Sequence, residues 1–568
     1  MYRKWHKMRL RFSPGFPVSR KPRKPYNRDL SAQAKKGSPR GRGHAAAVGA
    51  GILLSRLVGL VRERIFAHYF GNSDAADAFR AAFRIPNLLQ NLFGEGVLSA
   101  SFIPVYARLD AEGRHQEASQ LAEAIFALLL LITTVLVAAG VWATPWLIDL
   151  IAPGFHGAKR QLCIRLVQIL FPGAALLVFS AWCLGILNSH RRFFLSYAAP
   201  VVWNAAMITT LVWGGRHHTE QRLAILLAIG SVIGSALQFA AQLPTVLRFL
   251  WPLRLRLHAG EHVRIVSNNF FPVFLSRGVV QVSAYIDSLL GSFLGTGAVA
   301  ALGYAQTLYN LPFSLFGMAV SAAELPAMSA ELGTTAEIAQ ALRQRLAAGL
   351  QKIAFFVIPS AVAFVVLGDV VVATIYRSGH FQHSDVVYVW AVLAGSSVGL
   401  LASTSGRLYA SAFYALRDTR TPLKFAVIRV SLTFAFGYLS AMPLPRLLGI
   451  SRHWGAVGLT FSAGMAGWLE FALLRRALSR RIGLTASSLS RVARLWLVAI
   501  VAAVVCFGIK IALPFHTSRS SWAAAATGAC VLLPYGGIYL ALTHRMGIAS
   551  TGAFSRFFLR GRSQNGGE

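Results

Sequence analysis

Residues 49–70 read GAGILLSRLVGLVRERIFAHYF. The run is long and apolar enough to cross a bilayer as a helix, yet it carries Arg56 deep inside it. With about 1.5 Å of rise per residue, Arg56 lies roughly 16 Å from the start of a span that begins near residue 45, close to mid-membrane. A charge at that depth costs about 2.5–3.5 kcal/mol on insertion scales, so it needs an anionic partner, a water-filled cavity or a ligand. Glu63 follows seven residues later and shares a helix face with Arg56. The pattern recurs: Leu54-Ser55-Arg56 has a copy in Leu275-Ser276-Arg277. At a similar offset Phe93-Gly94 recurs as Phe316-Gly317, each followed by a Ser/Ala-rich stretch and a proline, Pro104 and Pro326. A repeated apolar unit with cations in its interior predicts two lobes around a polar cavity, a common transporter plan.

Working outward, 55% of the chain is hydrophobic and only 14% is charged. In lipid every backbone polar group must be satisfied internally, which leaves helices or a closed barrel. The apolar runs are continuous rather than alternating, which excludes a barrel. The fold class predicted is an all-α polytopic membrane protein. Spans are expected near 45–70, 77–106, 119–142, 161–187, 193–213, 222–245, 267–291, 297–327, 350–375, 386–410, 421–442, 454–476, 491–513 and 521–544. That makes about fourteen. The domain reading is a basic tail over 1–44, an N-lobe over 45–245 and a C-lobe over 246–480. Two further helices follow over 490–545, then a second tail over 546–568.

The net charge of +35 invites a nucleic-acid reading. Position argues against it: fourteen of the 56 Lys/Arg fall in residues 1–44, among several prolines and without an apolar run. That composition fits a disordered, solvated topogenic tail, with contact to anionic lipid headgroups as the alternative reading. Elsewhere the basic residues favour one set of loops and tails, including Arg191-Arg192, Arg254, Arg256, Arg475-Arg476, Arg480-Arg481, Arg560 and Arg562. By the positive-inside rule both termini are cytoplasmic, as an even number of spans requires. Cys163, Cys183, Cys506 and Cys530 fall in apolar spans without disulfide or metal spacing and read as small core residues.

The second span opens Asp77-Ala-Phe-Arg80-Ala-Ala-Phe-Arg84-Ile-Pro86-Asn87. Asp77, Arg80 and Arg84 form one stripe, in which Asp77 and Arg80 can pair while Arg84 faces the cavity. Pro86 removes an amide donor and should bend or open the helix. Gly94 and Gly96 flank Glu95 and add a second weak point, so this span is the candidate gate. A competing reading has Arg56, Asp77, Arg84 and Glu95 merely neutralising one another between helices. Arg62 and Arg64 sit nearer a membrane boundary, where snorkelling is an alternative. In the second half Arg277, Asp287 and Glu324 are intramembrane charges; Arg407, Arg429 and Glu470 read as structural. His217-His218 and the pair His380 and His383 lack a third metal ligand. No phosphate-cradling Gly-rich loop is present, so nothing suggests an ATP-driven pump.

Several segments resemble the MurJ (MviN) flippases. They are Ser55-Arg-Leu-Val-Gly-Leu-Val-Arg62-Glu63, Asp77-Ala-Phe, Pro86-Asn-Leu, and Gly94-Glu95-Gly96 followed by Phe102-Ile-Pro104. Further on come Ala152-Pro-Gly-Phe155, Gly185-Ile-Leu-Asn188-Ser189, Ala199-Pro200 with Asn204, and Phe413-Tyr-Ala-Leu-Arg-Asp418-Thr-Arg-Thr-Pro422. The resemblance covers about residues 45–545. It implies fourteen helices of the multidrug/oligosaccharidyl-lipid/polysaccharide exporter superfamily: two six-helix lobes around a central cavity, and two more helices forming a groove for a lipid tail. It also implies an activity, moving lipid II, the undecaprenyl-diphosphate-linked peptidoglycan precursor, to the outer leaflet by alternating access. Guanidinium groups suit a diphosphate because they make bidentate, charge-assisted contacts. By resemblance Arg56 and Arg62 match cavity arginines, Asp77 an acid at the cavity mouth, and Glu95 the acid of a bent second helix. Two positions depart from the family pattern, which has arginines where this chain reads Gln90-Asn91 and Ala305-Gln306-Thr307-Leu308. Arg277, outside that pattern, is expected to supply one of the missing cations from the C-lobe side.

The substrate-binding set is therefore Arg56, Arg62, Asp77, Arg84, Glu95 and Arg277, with Asp287, Glu324 and Glu63 as ion-coupling candidates. The expected partners are lipid II and membrane lipids, with no nucleic acid, and the protein is expected to act as a monomer. Neither a metal nor an organic cofactor is expected; the energy source is a coupling cation or the membrane potential. Competing functions are an exporter of another undecaprenyl-diphosphate-linked saccharide, a drug-cation exporter, a membrane-embedded transferase and an inactive scaffold. Surplus arginines count against a drug cation. The absence of a loop long enough for a catalytic domain counts against an enzyme.

Overall fold

A computed structural model describes residues 39–93, 98, 101–250, 254, 260–331, 334–483, 489–513 and 520–548. Among these residues there are helices and no strand. In chain order they are α1 (Pro39–Phe70), α2 (Asp74–Asn91), α3 (Ile103–Ala111), α4 (His115–Ile151), α5 (Gly157–Ser189), α6 (Phe193–Gly214), α7 (Glu220–Leu250), α8 (Glu261–Ser292), α9 (Ala298–Pro312) and α10 (Ala319–Ser329). The second half continues with α11 (Thr335–Val366), α12 (Gly368–Tyr376), α13 (His383–Ser397), α14 (Leu400–Ala415), α15 (Arg420–Ala441), α16 (Pro443–Leu447), α17 (Gly455–Ile482), α18 (Leu489–Ala512) and α19 (Ser521–Arg545). Among the described residues ten helices are long and apolar enough to cross a membrane, and eleven if the bent pair α13 and α14 is one span. Helix α2 carries four charges in its eighteen residues, which is why apolarity alone does not mark it as a span.

Helices α1, α2 and α4–α7 pack into one bundle, and α9–α15 with α17 pack into a second. Helix α8 touches both. It begins beside α4, where His262 lies 3.1 Å from Glu117, and ends with Leu290 packed on α15 and α17 in the second bundle. The last two helices, α18 and α19, lie against α11 and α12 through Leu495, Val498, Ala502, Val531, Tyr535 and Tyr539. Pro359 inside α11 lacks the amide that would bond the carbonyl of Phe355. The Tyr539 hydroxyl donates to that carbonyl at 2.7 Å, and the Tyr535 hydroxyl donates to the carbonyl of Pro359 at 2.8 Å. The proline thus makes the docking points for α19. Cys163, Cys183 and Cys506 are buried, as their apolar settings predict. Cys530 is the exception: it is exposed on the face of α19 that no protein covers, where an apolar sequence signals lipid rather than core.

Two irregularities of the second bundle bear on the site. Between α9 and α10 the chain makes a π-helical turn over Phe313–Met318. Between α13 and α14 it breaks with a bend of 40°. There Gly399 is pressed on Gly464 of α17, so that a Cβ on Gly399 would lie 2.5 Å from the Gly464 Cα. Small residues let two backbones approach this closely. The Val398 carbonyl, freed by the break, accepts from Trp468 Nε1 at 2.8 Å. The expected interruption at Pro86 is not there: α2 runs through it to Asn91. A proline removes one helix bond but does not end a helix whose neighbours hold it. Gly94, Glu95 and Gly96 lie outside the described residues.

Candidate functional site between the two bundles

The seam between the bundles is closed at the end where α1 stops and α2 begins. Ser73 caps α2, its side chain accepting from the Ala76 amide, and this sets Asp77 one turn into the helix. Asp77 is fully buried. One of its oxygens takes Lys159 Nζ of α5 at 2.6 Å and the Gly297 amide at 2.7 Å, and the other takes the Ala300 amide at 2.7 Å. Those two amides belong to the first turn of α9, whose unpaired donors and positive dipole end favour a carboxylate. Gly297 reaches this position with φ of 82°, a left-handed conformation that favours glycine. Asp74 also holds Lys159 at 2.8 Å and accepts from the Thr296 hydroxyl at 2.9 Å. Asp77 is therefore not paired with Arg80 as its spacing suggested. Its stripe faces a helix terminus of the other bundle, and two amides there together with Lys159 of α5 outcompete one guanidinium along the same helix.

Around this knot lie further cross-bundle contacts. The Tyr304 hydroxyl donates to the carbonyl of Gly71 at 2.9 Å. The His380 amide donates to the carbonyl of His68 at 2.8 Å, and the His380 ring lies 3.0 Å from Glu220. Asn72 bonds Asp385 at 3.2 Å, and Arg64 donates to the Thr374 carbonyl at 2.9 Å. Gly71, with φ of 51°, tucks so near His380 that a Cβ would lie 2.7 Å from its carbonyl oxygen.

One layer deeper, Arg80 pairs with Glu63 of α1. Its guanidinium is stacked between Phe66, 4.8 Å to the ring centre, and Tyr304 of the second bundle, at 4.7 Å. Gly303 gives it room: a Cβ there would lie 3.1 Å from Arg80. Arg62 is 2.6 Å from the other oxygen of Glu63 and lies 4.9 Å over the Trp203 ring. Glu63 is thus shared between two guanidiniums and is buried.

Deeper still, α2 meets α8. The Tyr285 hydroxyl donates to the Arg84 carbonyl at 2.9 Å, and Arg84 lies within electrostatic reach of Asp287. Asp287 also faces Arg429 of α15, which lies 3.0 Å from Glu470 of α17. Asp287, Arg429 and Glu470 line a cavity of about 650 Å³ inside the second bundle, bounded by the π turn on one side and by the 40° break on the other.

Of the predicted site residues, the structure brings Asp77, Glu63, Arg62, Arg84 and Asp287 to the seam. Arg56 is exposed on α1, beside the exposed Leu53 and Leu57, and makes no ion pair with another described residue. Arg277 lies on α8, but its side chain is outside the described residues, as is Glu95. Glu324 stands apart, 3.4 Å from Lys352 and 3.7 Å from Arg345 of α11. The sequence reading missed Lys159, Tyr304 and the start of α9. Lys159 sits four residues after Phe155 in the Ala152-Pro-Gly-Phe155 segment, and its ammonium lies 4.5 Å from that ring, a spacing that offered a signal.

Comparison with known proteins agrees with this arrangement. A family model described as "Lipid II flippase MurJ" matches residues 66–525. A "Lipid II flippase MurJ" of Burkholderia cenocepacia is 32% identical over 439 residues, covering 76% of this chain and 82% of its own length. A "Probable lipid II flippase MurJ" of Rhizobium meliloti is 29% identical over 534 residues, covering 91% and 96%. Among solved structures, "Lipid II flippase MurJ, inward closed conformation" superposes with a TM-score of 0.70 at 22% identity, covering 88% of this chain and 99% of that one. An inward-facing multidrug resistance MATE family transporter of the MOP superfamily gives 0.57 at 18% identity, covering 75% and 95%. At these identities the two structures speak for the fold.

Proposed function

Because the chain belongs to the lipid II flippase MurJ family, we propose that it carries lipid II across the bacterial cytoplasmic membrane for cell-wall synthesis. It is a multi-pass membrane protein whose work is transport. A diphosphate-linked headgroup cannot cross hydrocarbon unaided, and a seam lined by guanidiniums and closed at one end offers it a polar station. The observation that carries this reading is the two-bundle seam sealed at one end by Asp77 on the α9 terminus, with Arg84 of α2 held at its carbonyl by Tyr285 of α8 below the seal. In this reading the sealed end faces outward and both termini are cytoplasmic, as the distribution of basic residues favours. Arg56, Arg84 and Arg277 are the guanidiniums that meet the diphosphate. Arg62, held by Glu63 over Trp203, positions α1. Asp287 and Glu324 already face guanidinium or ammonium groups, which favours the membrane potential acting on fixed charges over a bound coupling cation. Uncharged Gln90 and Thr307 at two positions where the family carries arginine keep a second substrate in view, another polyprenyl-diphosphate saccharide. The test is replacement of the host flippase by this chain, followed by labelling of lipid II in the outer leaflet. Restored growth and outer-leaflet lipid II are expected; normal expression with neither overturns the proposal.

A further inference from the structure

The cavity in the second bundle does more than complete the seam. Its walls include two backbone irregularities of that bundle: Phe313 and Met318 from the π turn, and Gly399 from the break. Non-helical backbone at membrane depth is tolerated where it lines a cavity, and π turns gather at functional sites. The volume of about 650 Å³ is that of a ligand pocket rather than a packing defect.

The lining is polar without net charge. Arg429 is balanced by Glu470 at 3.0 Å and faces Asp287, which also faces Arg84. A further guanidinium, Arg407, lies 5.5 Å over the Phe313 ring. Between the ion pairs stand the amides of Gln306 and Asn310, bonded to each other at 2.9 Å, and the hydroxyls of Ser403, Ser411 and Thr460. Ser321, only 4% exposed, lines the cavity with a buried hydroxyl that has no hydrogen-bond partner. A lone cation would find both acids already facing guanidiniums. A second anion would meet two carboxylates. What fits is an uncharged group with donors and acceptors on its edges and apolar faces, able to lie on Phe313 and Tyr414 while its hydroxyls reach amides, serines and paired charges.

We infer that this chamber receives a saccharide unit of the headgroup. The inference rests on the proposed function, since it takes the diphosphate to lie at Arg84, and Asp287 joins that arginine to the chamber. A sugar attached directly to the diphosphate must sit next to it, and the chamber begins at Asp287, two residues along α8 from Tyr285, whose hydroxyl holds the Arg84 carbonyl. Ser403, Asn310 and Ser321 are then specificity residues for the sugar and not for the phosphate.

Two short-tail probes separate the claims: farnesyl diphosphate, and a farnesyl-diphosphoryl disaccharide. Binding of each is measured to the full chain in nanodiscs, for wild type, Asn310→Ala, Ala322→Trp and Arg84→Gln. Ala322 lines the chamber and is exposed, so the tryptophan narrows the space without disturbing a packed core. Wild type is expected to bind the glycosylated probe at least tenfold more tightly than farnesyl diphosphate. Asn310→Ala and Ala322→Trp should weaken the glycosylated probe about tenfold and leave the sugar-free probe within about twofold. Arg84→Gln should weaken both. Equal affinity of wild type for the two probes, or loss of both probes together in the chamber variants, overturns the chamber assignment and leaves the flippase reading standing. Should wild type bind neither probe, both readings fall. Sodium chloride titrated alone gives the remaining arm: saturable binding lost in Asp287→Asn would assign the chamber to a cation and overturn the sugar.

Discussion

Glu63 shows how a residue's partner can be hidden from its own sequence neighbourhood. It is buried between Arg62 and Arg80, and Arg80 is in turn stacked against a tyrosine from the other bundle. Removing one member of a buried ion pair leaves an uncompensated charge at a cost of about 3–5 kcal/mol, whereas replacing the pair by apolar groups is often near neutral. Glu63→Leu should therefore lower the thermal stability of the purified protein sharply, and Glu63→Leu with Arg80→Leu should recover part of the loss, the rest staying with Arg62, which has also lost its carboxylate. Additive losses in the four-protein cycle would show that the two side chains are not coupled. The same residues mark what the sequence can reveal. The i, i+3, i+7 spacing of Asp77, Arg80 and Arg84 gives one helix face, and a depth in the membrane gives a need for compensation. Neither says which helix lies opposite, so spacing alone pairs Asp77 with Arg80, whereas its partners are Lys159 and the first amides of α9. Depth in the membrane likewise asks for compensation at Arg56, which lies exposed on α1.

At the scale of the helix, the apolar runs state where elements lie but not where they bend. Pro86 suggested an opening that α2 does not show, while the 40° break between α13 and α14 falls at Gly399, where the sequence shows only Gly395-Ser-Ser-Val-Gly399. The cause is a crossing: Gly399 and Gly464 let α14 and α17 touch backbone to backbone. Gly399→Val should force that crossing apart, lowering stability by about 1–3 kcal/mol through overpacking. It should also widen the chamber beside it. Thermal unfolding and the affinity for the glycosylated probe read the two effects, and a variant as stable as wild type would rule the crossing out as the cause of the bend. The Phe413–Pro422 segment carries a resemblance in the sequence, and the structure gives it a mechanism. Asp418 accepts from the amides of Arg420 and Thr421 at 3.0 Å and from the Thr421 hydroxyl at 2.7 Å, opening α15 ahead of Pro422. Those bonds to Thr421, with Arg481 at 2.7 Å, hold its carboxyl well below the usual range, at about 2.

For the whole molecule, hydropathy and the duplicated arginine segment foretold two bundles, and the structure supplies them, with ten or eleven spans marked by length and apolarity among the described residues. Sequence could not tell which end of the seam is shut, because closure is made by residues far apart in the chain: Asp77 with Ala300, Gly71 with Tyr304, His68 with His380. If Asp77 is the keystone, Asp77→Ala should loosen that end. In a Cys530→Ser background, a cysteine at Ser292, which is buried where its hydroxyl accepts from the Gly154 amide, should react with a membrane-impermeant maleimide several-fold faster once Asp77 is removed. Unchanged labelling would show that the remaining contacts suffice.

A protein that keeps a large wet hollow inside the membrane risks becoming a leak. The knot of carboxylates, Lys159 and the α9 terminus leaves Asp77 no solvent-accessible surface, so its removal is expected to raise ion conductance on that side. With the knot intact the cell can hold many unloaded copies without draining its proton gradient, and a loosened knot should register first as depolarisation rather than as slow transport.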